Sequence, residues 1–182
     1  MNGDEIAEQN LDLAENHIGL PVHYLGVEVK RERADGRAED VRQWHMDIED
    51  RRMLKLIVYL SDVDDGCGPF EYIDLMRSGE AARVLRYSSG FVSDAVMDRV
   101  VPQENWLRGV GPRLSAIFVD SSRIFHRVVA PTTTDRYSMT FSYSSTTSYQ
   151  VFPEFMLSAK ALRRLSHQLT PRQRAASRIE LT

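Results

Sequence analysis

The sequence has one cysteine, no long apolar run and little net charge. The lone Cys67 excludes an intramolecular disulfide framework and suits a reducing compartment. The longest apolar run, residues 53–60, is far shorter than a membrane span and contains Lys55. The N-terminal residues are acidic, unlike those of a signal peptide. From these three features we expect a cytoplasmic protein without a membrane partner. Because the net charge is only −3, we expect no nucleic-acid partner either.

What the sequence does contain is a series of short strand-like segments separated by turns, with helical patterns mainly at the two ends. This arrangement predicts a mainly β protein with flanking helices, built on a double-stranded β-helix of the jelly-roll or cupin-like kind. The 182 residues suit one domain, 1–182. Within it we expect the jelly-roll core at about 22–146, a candidate lid insertion at about 74–110 and C-terminal helices at about 154–180.

The predicted elements follow from hydrophobic periodicity and turn residues. The expected strands are 22–29, 41–47, 53–60, 70–73, 106–110, 114–119, 123–129 and 136–145. A helix is predicted over 4–17, and another begins at Pro171 with Thr170 as its N-cap. In the first strand, Leu25, Val27 and Val29 are expected to share one side. Residues 30–40 are interpreted as a solvated connection.

Candidate metal ligands come from two separated segments. Alternate residues of a strand point to one face, so His45 and Asp47 can present an imidazole and a carboxylate together. His126 lies between the apolar Ile124 and Val128 on one strand face, where an imidazole needs a partner. Two histidines and one carboxylate can hold ferrous iron and leave coordination positions open. The alternative is that His126 is a hydrogen-bonded core residue.

Arg136 and Ser138 form a second candidate group on one face of the last strand. The turn that follows His126 is expected to return this strand alongside it. An arginine offers a planar fork of donors that matches a carboxylate and stays charged when buried, and a serine adds a hydroxyl donor. Tyr137 and Met139 would then pack on the opposite face. A surface arginine on an exposed strand is the alternative.

The order and spacing of five segments resemble one known family. These segments are 44–47 (WHMD), 54–64 (LKLIVYLSDVD), 68–73 (GPFEYI), 116–127 (AIFVDSSRIFHR) and 136–138 (RYS). Together they resemble the phytanoyl-CoA dioxygenase-like oxygenases, over about residues 22–146. Where that family has a Pro-Gly-Ser-His-like segment, this chain reads Ile73-Asp74-Leu75-Met76, and its N-terminal helical region is shorter.

The resemblance implies a non-haem iron dioxygenase that uses 2-oxoglutarate and O2. His45, Asp47 and His126 would ligate Fe(II), and Arg136 and Ser138 would bind the C5 carboxylate of 2-oxoglutarate. The reaction would convert 2-oxoglutarate to succinate and CO2 while an unactivated C–H bond of a small organic substrate is oxidised. A carboxylate at position 47 implies a hydroxylase, because a halogenase of this class would leave that ligand position open.

Further site residues are expected around this centre. Lys55 and Tyr59 share a strand face and would contact the co-substrate if that face lines the barrel; a snorkelling lysine and a core tyrosine are the alternatives. The expected substrate-pocket residues are Arg77, Arg86, Tyr87, Phe91 and Trp106. The C-terminal basic residues could contact the acidic N-terminus or an anionic partner, although a solvated helix face is preferred.

Two other functions stay open at this point. One is a prolyl-hydroxylase-like oxygenase that acts on a peptide or protein, and the other is a jelly-roll binding protein without turnover. The sequence sets neither the substrate nor the oligomeric state.

Overall fold

The computed structural model describes residues 3–149 and 158–178. Its helices are α1 (Gly3–Ile18), α2 (Leu75–Leu85), α3 (Asp94–Met97), α4 (Ala159–Leu165) and α5 (Pro171–Ala176). Its strands are β1 (Val22–Glu32), β2 (Leu54–Tyr59), β3 (Phe70–Tyr72), β4 (Leu107–Gly109), β5 (Ala116–Val119), β6 (His126–Val128) and β7 (Arg136–Ser145). Among these residues, no helix combines the length and the apolar character that crossing a membrane requires.

The strands form two antiparallel sheets. A four-stranded sheet has the order β1-β7-β2-β5, and a three-stranded sheet has the order β4-β3-β6. Strands that are neighbours in space are therefore distant in sequence, as expected of a jelly roll. One cavity is lined by side chains of both sheets, including Ile57 of β2 and Phe70 of β3.

Alternation along β7 gives the larger sheet two different faces. Phe141 and Tyr143 lie on the outer face and pack against a cluster that contains Leu11 and Ala14 of α1. The apolar stripe of the N-terminal helix therefore covers this part of the sheet. The inner face carries Arg136 and the hydroxyl residues that alternate with the aromatic ones, so the cavity has a polar wall.

A β-bulge near the start of β1 overturns one expectation. The register passes from Tyr24 opposite Tyr143 to Gly26 opposite Ser142, which leaves Leu25 as the extra residue. Leu25 is therefore buried, whereas Val29 lies on the outer face and is 67% exposed. The prediction that Leu25 and Val29 share one side is wrong because the bulge shifts the alternation by one residue. It also turns the polar residues of β1 toward the cavity.

The prediction of a strand over 41–47 is also wrong. Residues Asp40–Arg42 form a 3-10 turn, and only two isolated bridges follow. Trp44 exchanges backbone hydrogen bonds with Val92, and His45 exchanges them with His126. Because neighbouring residues pair with two different partners, no regular ladder forms here. The bridge nevertheless places His45 directly beside His126.

The predicted helical and loop character of residues 74–99 agrees with α2 and α3. β4 is a strand of the smaller sheet, so the end of the 74–110 segment belongs to the core. At the C-terminus, Thr170 caps α5 through a capping box, as expected. The rest of the region predicted as C-terminal helices, residues 154–157 and 179–180, lies outside the described residues.

The basic C-terminal region contacts the acidic N-terminal helix. Arg172 of α5 forms ion pairs with three acidic residues of α1, namely Glu8, Asp12 and Glu15. The preferred interpretation, a solvated helix face, is therefore wrong for Arg172. Each of these pairs is partly exposed and contributes little by itself, but together they dock the two ends of the chain against each other.

Candidate functional site

The structure brings His45, Asp47 and His126 together. One potential ligand atom of each residue lies within 4.8 Å of the others. Asp47 Oδ1 is 3.8 Å from His45 Nε2 and 3.8 Å from His126 Nε2. The two imidazoles therefore converge on one carboxylate oxygen, with space between them for an ion.

Backbone hydrogen bonds fix the orientation of both histidines. His45 Nδ1 lies 2.9 Å from the carbonyl oxygen of Gln43, and His126 Nδ1 lies 3.2 Å from that of Ile124. A carbonyl can only accept, so each Nδ1 carries the proton and each Nε2 keeps its lone pair for a metal. Asp47 is held at its backbone, where its N–H donates to the Ser121 carbonyl at 3.0 Å.

Burial and nearby charges set the protonation states that a metal needs. Burial lowers the pKa of His126 to about 4 and also lowers the pKa of His45. Burial opposes ionisation of Asp47, but the positive charge of Lys55 outweighs it and holds the pKa of this carboxyl below its ordinary value. At neutral pH the site therefore presents two neutral imidazoles and one carboxylate.

Lys55 lies beside this group. Its Nζ is 2.5 Å from Asp47 Oδ2 and 3.9 Å from Glu49 Oε1. Asp47 thus directs Oδ1 toward the histidines and Oδ2 toward the lysine. Burial disfavours the charge on Lys55, but Asp47 and Glu49 outweigh this effect and raise its pKa. The predicted face of β2 does line the cavity, because Lys55 and Ile57 both contribute to its wall.

Arg136 lies in the same cavity, which has a volume of about 100 Å³. Its side chain is 3% exposed, and Nη1 donates to the Gly68 carbonyl at 2.6 Å. Gly68 has a φ of 74°, and a Cβ there would lie 2.5 Å from the Val129 carbonyl oxygen, so only glycine fits. Arg136 Nε has no hydrogen-bond partner among the described residues.

The cations around the cavity differ in how their charge is balanced. Three of the four are paired with carboxylates, namely Lys30 with Glu28 at 2.9 Å, Lys55 with Asp47 at 2.5 Å and Arg127 with Glu71 at 2.7 Å. Among the described side chains, no carboxylate oxygen lies within 4.0 Å of the guanidinium of Arg136. A buried guanidinium with a free donor fits an anionic ligand.

Ser138 and Tyr59 lie near Arg136. Ser138 is 2% exposed and lines the cavity on the same face of β7. The Tyr59 hydroxyl donates to the Gly109 carbonyl at 2.6 Å and accepts from Phe70 N–H at 3.0 Å. Its ring faces the Arg136 guanidinium at 5.8 Å. Tyr59 thus supports Arg136 through its ring while its hydroxyl is occupied by the backbone.

Three of the five expected pocket residues lie close to the centre or its support. Phe91 is 51% exposed, and its ring packs edge-on against His45 with 5.4 Å between the ring centroids. The Tyr87 hydroxyl accepts from Met46 N–H at 3.1 Å and donates to the Gly90 carbonyl at 2.7 Å. Trp106 packs on Trp44 in the core. Tyr87 and Trp106 therefore support the ligand segment, and Phe91 contacts a ligand.

The two arginines of the expected pocket lie elsewhere. Arg77 pairs with Asp74 at 2.5 Å within the first turn of α2. Arg86 is exposed in a left-handed conformation, with φ of 49°, at the C-terminus of the same helix. Neither of them lines the cavity around His45 and Arg136. Their charge alone was not a sufficient guide to their position.

Several cavity residues escaped the sequence analysis. They are Glu28, Lys30, Phe70, Ser121, Arg127 and Thr140. Polar residues alternate at Glu28, Lys30 and Glu32, which was the available signal for an inward polar face on β1. The Phe70 ring stacks on His126 with 5.5 Å between centroids. Phe70, Ser121 and Arg127 lie inside the motif segments but were not singled out as site residues, and the bulge hid the direction of Glu28 and Lys30 on β1.

Comparisons with known proteins give the fold. The chain matches HygX from Streptomyces hygroscopicus, in a structure with nickel and 2-oxoglutarate bound, at a TM-score of 0.51 and 14% identity, covering 77% of this chain and 64% of HygX. It matches EctD from S. alaskensis, in a structure with 2-oxoglutarate and 5-hydroxyectoine, at a TM-score of 0.59 and 17% identity. This match covers 80% of this chain and 55% of EctD. ThoJ, a non-heme monooxygenase, matches at a TM-score of 0.52 and 14% identity, covering 79% of this chain and 54% of ThoJ.

No family model matches the sequence, and no curated protein matches it either. The chain spans between 54% and 64% of the length of the three structures named above. At these identities the likeness concerns architecture. The sequence-based fold prediction is confirmed: the protein is mainly β, with flanking helices and a jelly-roll core of the kind found in these structures.

Proposed function

We propose that the protein is an Fe(II)/2-oxoglutarate-dependent dioxygenase that hydroxylates a small organic substrate. One observation carries the proposal: a metal-ligand triad and a buried arginine without a carboxylate partner line the same cavity. The triad suits a ferrous ion, and the arginine suits the far carboxylate of a dicarboxylic oxoacid. Structures of HygX with nickel and 2-oxoglutarate, and of EctD with 2-oxoglutarate, support it.

The residues present fit the metal. His45 and His126 offer neutral Nε2 atoms, and Asp47 offers Oδ1 at 3.8 Å from each of them. When bound, Fe(II) would supply the activation of O2 that is coupled to decarboxylation of 2-oxoglutarate to succinate and CO2. The protein would fix the three ligands and leave the remaining positions open. The carboxylate at position 47 supports hydroxylation over halogenation.

The residues also fit the co-substrate. In our proposal, Arg136 and Ser138 bind the C5 carboxylate, with the free Nε of Arg136 among the donors. Tyr59 holds the guanidinium through its ring. Lys55 lies at the metal end, where its ammonium is within reach of the other end of the oxoacid. The cavity of about 100 Å³ suits a small ligand.

The substrate would approach beside His45. Phe91 is the best supported of the expected pocket residues, because it is exposed and packs on this ligand. The part of the 74–110 segment that contains α2, α3 and the loop between them, which carries Tyr87 and Phe91, is the proposed cover of the substrate. Phytanoyl-type membership rests on the sequence resemblance alone.

The test is consumption of 2-oxoglutarate. Purified protein loaded with Fe(II) would be supplied with 2-oxoglutarate, ascorbate, O2 and panels of small polar compounds, and succinate would be quantified. We expect iron-dependent succinate formation that one compound class stimulates and that His126→Ala abolishes. Iron binding without succinate formation on any panel would favour a non-catalytic binding protein. Stimulation only by proline-containing peptides would instead favour the prolyl-hydroxylase-like alternative.

A further inference from the structure

A carboxylate residue, Glu32, is the cross-strand neighbour of Arg136. Glu32, the last residue of β1, is directly opposite Arg136, the first residue of β7, in the antiparallel register. Residues that face each other in such a pair point to the same side of the sheet. The side chain of Glu32 is 12% exposed, and Arg136 is 3% exposed. An acid and a base are thus adjacent in a poorly hydrated region.

Two such groups normally form an ion pair. A guanidinium and a carboxylate attract strongly where water is scarce, and their geometries match. In this structure no guanidinium nitrogen of Arg136 lies within 4.0 Å of a Glu32 carboxylate oxygen. Had they been paired, a ligand carboxylate would need to displace Glu32 before binding Arg136. Another group must therefore hold the Glu32 carboxylate away from Arg136.

Arg42 is the partner of Glu32. Its Nη2 lies 3.1 Å and its Nε 3.2 Å from Glu32 Oε2, so both donors converge on one oxygen. The side chain of Arg42 is only 11% exposed. It comes from the 3-10 turn Asp40–Arg42, just before the metal-ligand segment. Its neighbour Val41 lines the cavity.

Arg42 also organises the segment between β1 and that turn. Its Nη1 donates to Asp35 Oδ1 at 2.6 Å and to the Arg37 carbonyl at 2.7 Å, and its Nη2 donates to the Arg33 carbonyl at 3.1 Å. The interpretation of residues 30–40 as a solvated connection holds for the mostly exposed residues 33–40, but it missed the end of β1 and the contacts with Arg42. β1 runs to Glu32, and the remainder is folded around one guanidinium.

We propose that Arg42 is a positioning residue that occupies Glu32 and so keeps Arg136 free for the far carboxylate of the co-substrate. The inference rests on the proposed function and adds a determinant of co-substrate affinity to it. Arg42 does not touch the ligand; it acts through the charge of Glu32. Without Arg42, Glu32 would turn to the nearest buried cation, Arg136, and compete with 2-oxoglutarate.

The test is a double-mutant cycle on 2-oxoglutarate binding. Protein loaded with Fe(II) would be titrated anaerobically with 2-oxoglutarate, and the visible charge-transfer band would report binding. We expect Arg42→Met to weaken binding by about tenfold, the size expected when an ion pair must be broken first. Adding Glu32→Gln to Arg42→Met should restore the affinity to within about twofold of wild type.

Two controls separate this effect from disorder of the segment. Asp35→Asn removes another charged partner of Arg42 but leaves the Glu32 contact, so it should leave 2-oxoglutarate affinity unchanged. Glu32→Gln alone should not weaken binding, since it removes the competitor. If Arg42→Met merely disorders the segment, its defect will persist in the double variant, and that result would overturn the inference. So would unchanged affinity in Arg42→Met.

Failure of the proposed function gives a different pattern. If Arg136→Ala leaves the titration unchanged, or if no band forms in wild-type protein, then Arg136 does not bind the co-substrate. If Arg136→Ala weakens binding and the Arg42 and Glu32 variants behave independently of each other, the proposed function stands and only the role of Arg42 is refuted.

Discussion

The two ends of the cavity differ in how their charges are balanced. At the metal end, Asp47 is already paired with Lys55 at 2.5 Å and placed between two neutral imidazoles. At the other end, Arg136 is buried and has no carboxylate partner among the described side chains. The metal end is thus pre-formed by internal contacts, whereas the other end is left incomplete. A buried charge without a partner is costly, so the incomplete end is the better indicator of a ligand.

The largest effect is expected from substitutions that remove a ligand at the metal end of the cavity. Asp47→Ala should abolish detectable iron binding and also destabilise the metal-free fold by about 3 kcal/mol, because Lys55 is left buried without its main partner. His45→Ala should lower iron affinity by more than about 100-fold but destabilise the fold far less. Iron titration and chemical unfolding of both variants would check this. Equal stability of the two variants would contradict the role of Lys55 in balancing Asp47.

The next largest effect is expected from a substitution at the Arg136 end of the cavity alone. Arg136→Ala should weaken 2-oxoglutarate binding by about 100-fold, the loss of a charge-assisted pair worth about 3 kcal/mol, while iron affinity changes by less than about threefold. A matched control is Arg31→Gln, because Arg31 is exposed and pairs with Asp135 on the outer face. Loss of iron binding in Arg136→Ala would show that the two ends are not independent.

Lowering the pH should reduce the free energy of unfolding of the metal-free protein. The pKa of His126 is about 4 in the folded protein and 6.5 in the reference state, and burial is the main cause. Folding therefore favours the neutral imidazole, so its stabilising contribution is complete above pH 6.5 and is lost as the pH falls toward 4. For His126 this amounts to about 3 kcal/mol.

Burial also lowers the pKa of His45 and of His23, which acts in the same direction. Urea unfolding in the presence of a chelator at pH 7.5, 5.5 and 4.5 would measure the loss. His126→Gln should show a shallower pH dependence than wild type. A stability profile that is flat between pH 6.5 and 4.5 would contradict the assignment of neutral, buried imidazoles.

The smallest expected effect concerns the support of the ligand segment. Tyr87→Phe removes the hydroxyl that accepts from Met46 N–H and donates to the Gly90 carbonyl. We expect a loss of about 1 kcal/mol in the free energy of unfolding, and iron affinity lower by about threefold. Thermal melts and iron titration would check both. The position of Arg136 should be unaffected, so 2-oxoglutarate affinity measured with saturating iron should stay at the wild-type value.

The sequence predicted the elements whose pattern is local. β7 was expected over 136–145 and is observed at Arg136–Ser145, because small hydroxyl residues alternate with large side chains from Tyr137 to Ser144. The capped helix at Pro171 was likewise evident from Thr170 and the proline. Residues that the motifs place at the site, His45, Asp47, His126 and Arg136, do meet around one cavity or its metal-ligand group.

What the sequence could not provide depends on register and distant contacts. The bulge at Leu25 reverses the direction of every later side chain of β1, so Glu28 and Lys30 were not recognised as cavity residues. Arg42 resembled any other charged loop residue, because its burial is created by Glu32 and by loop carbonyls that only folding assembles. Arg77 and Arg86 were chosen by charge, which does not specify where a helix directs them.

The most direct measurement is the visible absorbance of metal-free protein after anaerobic addition of Fe(II) and 2-oxoglutarate, compared between wild type and Arg136→Ala. We expect an iron-to-oxoacid charge-transfer band in wild type, and in Arg136→Ala the same band only at about 100-fold higher 2-oxoglutarate. Absence of the band in folded wild-type protein, or identical titrations of the two proteins, would contradict the proposal that the triad and Arg136 form one iron and 2-oxoglutarate site.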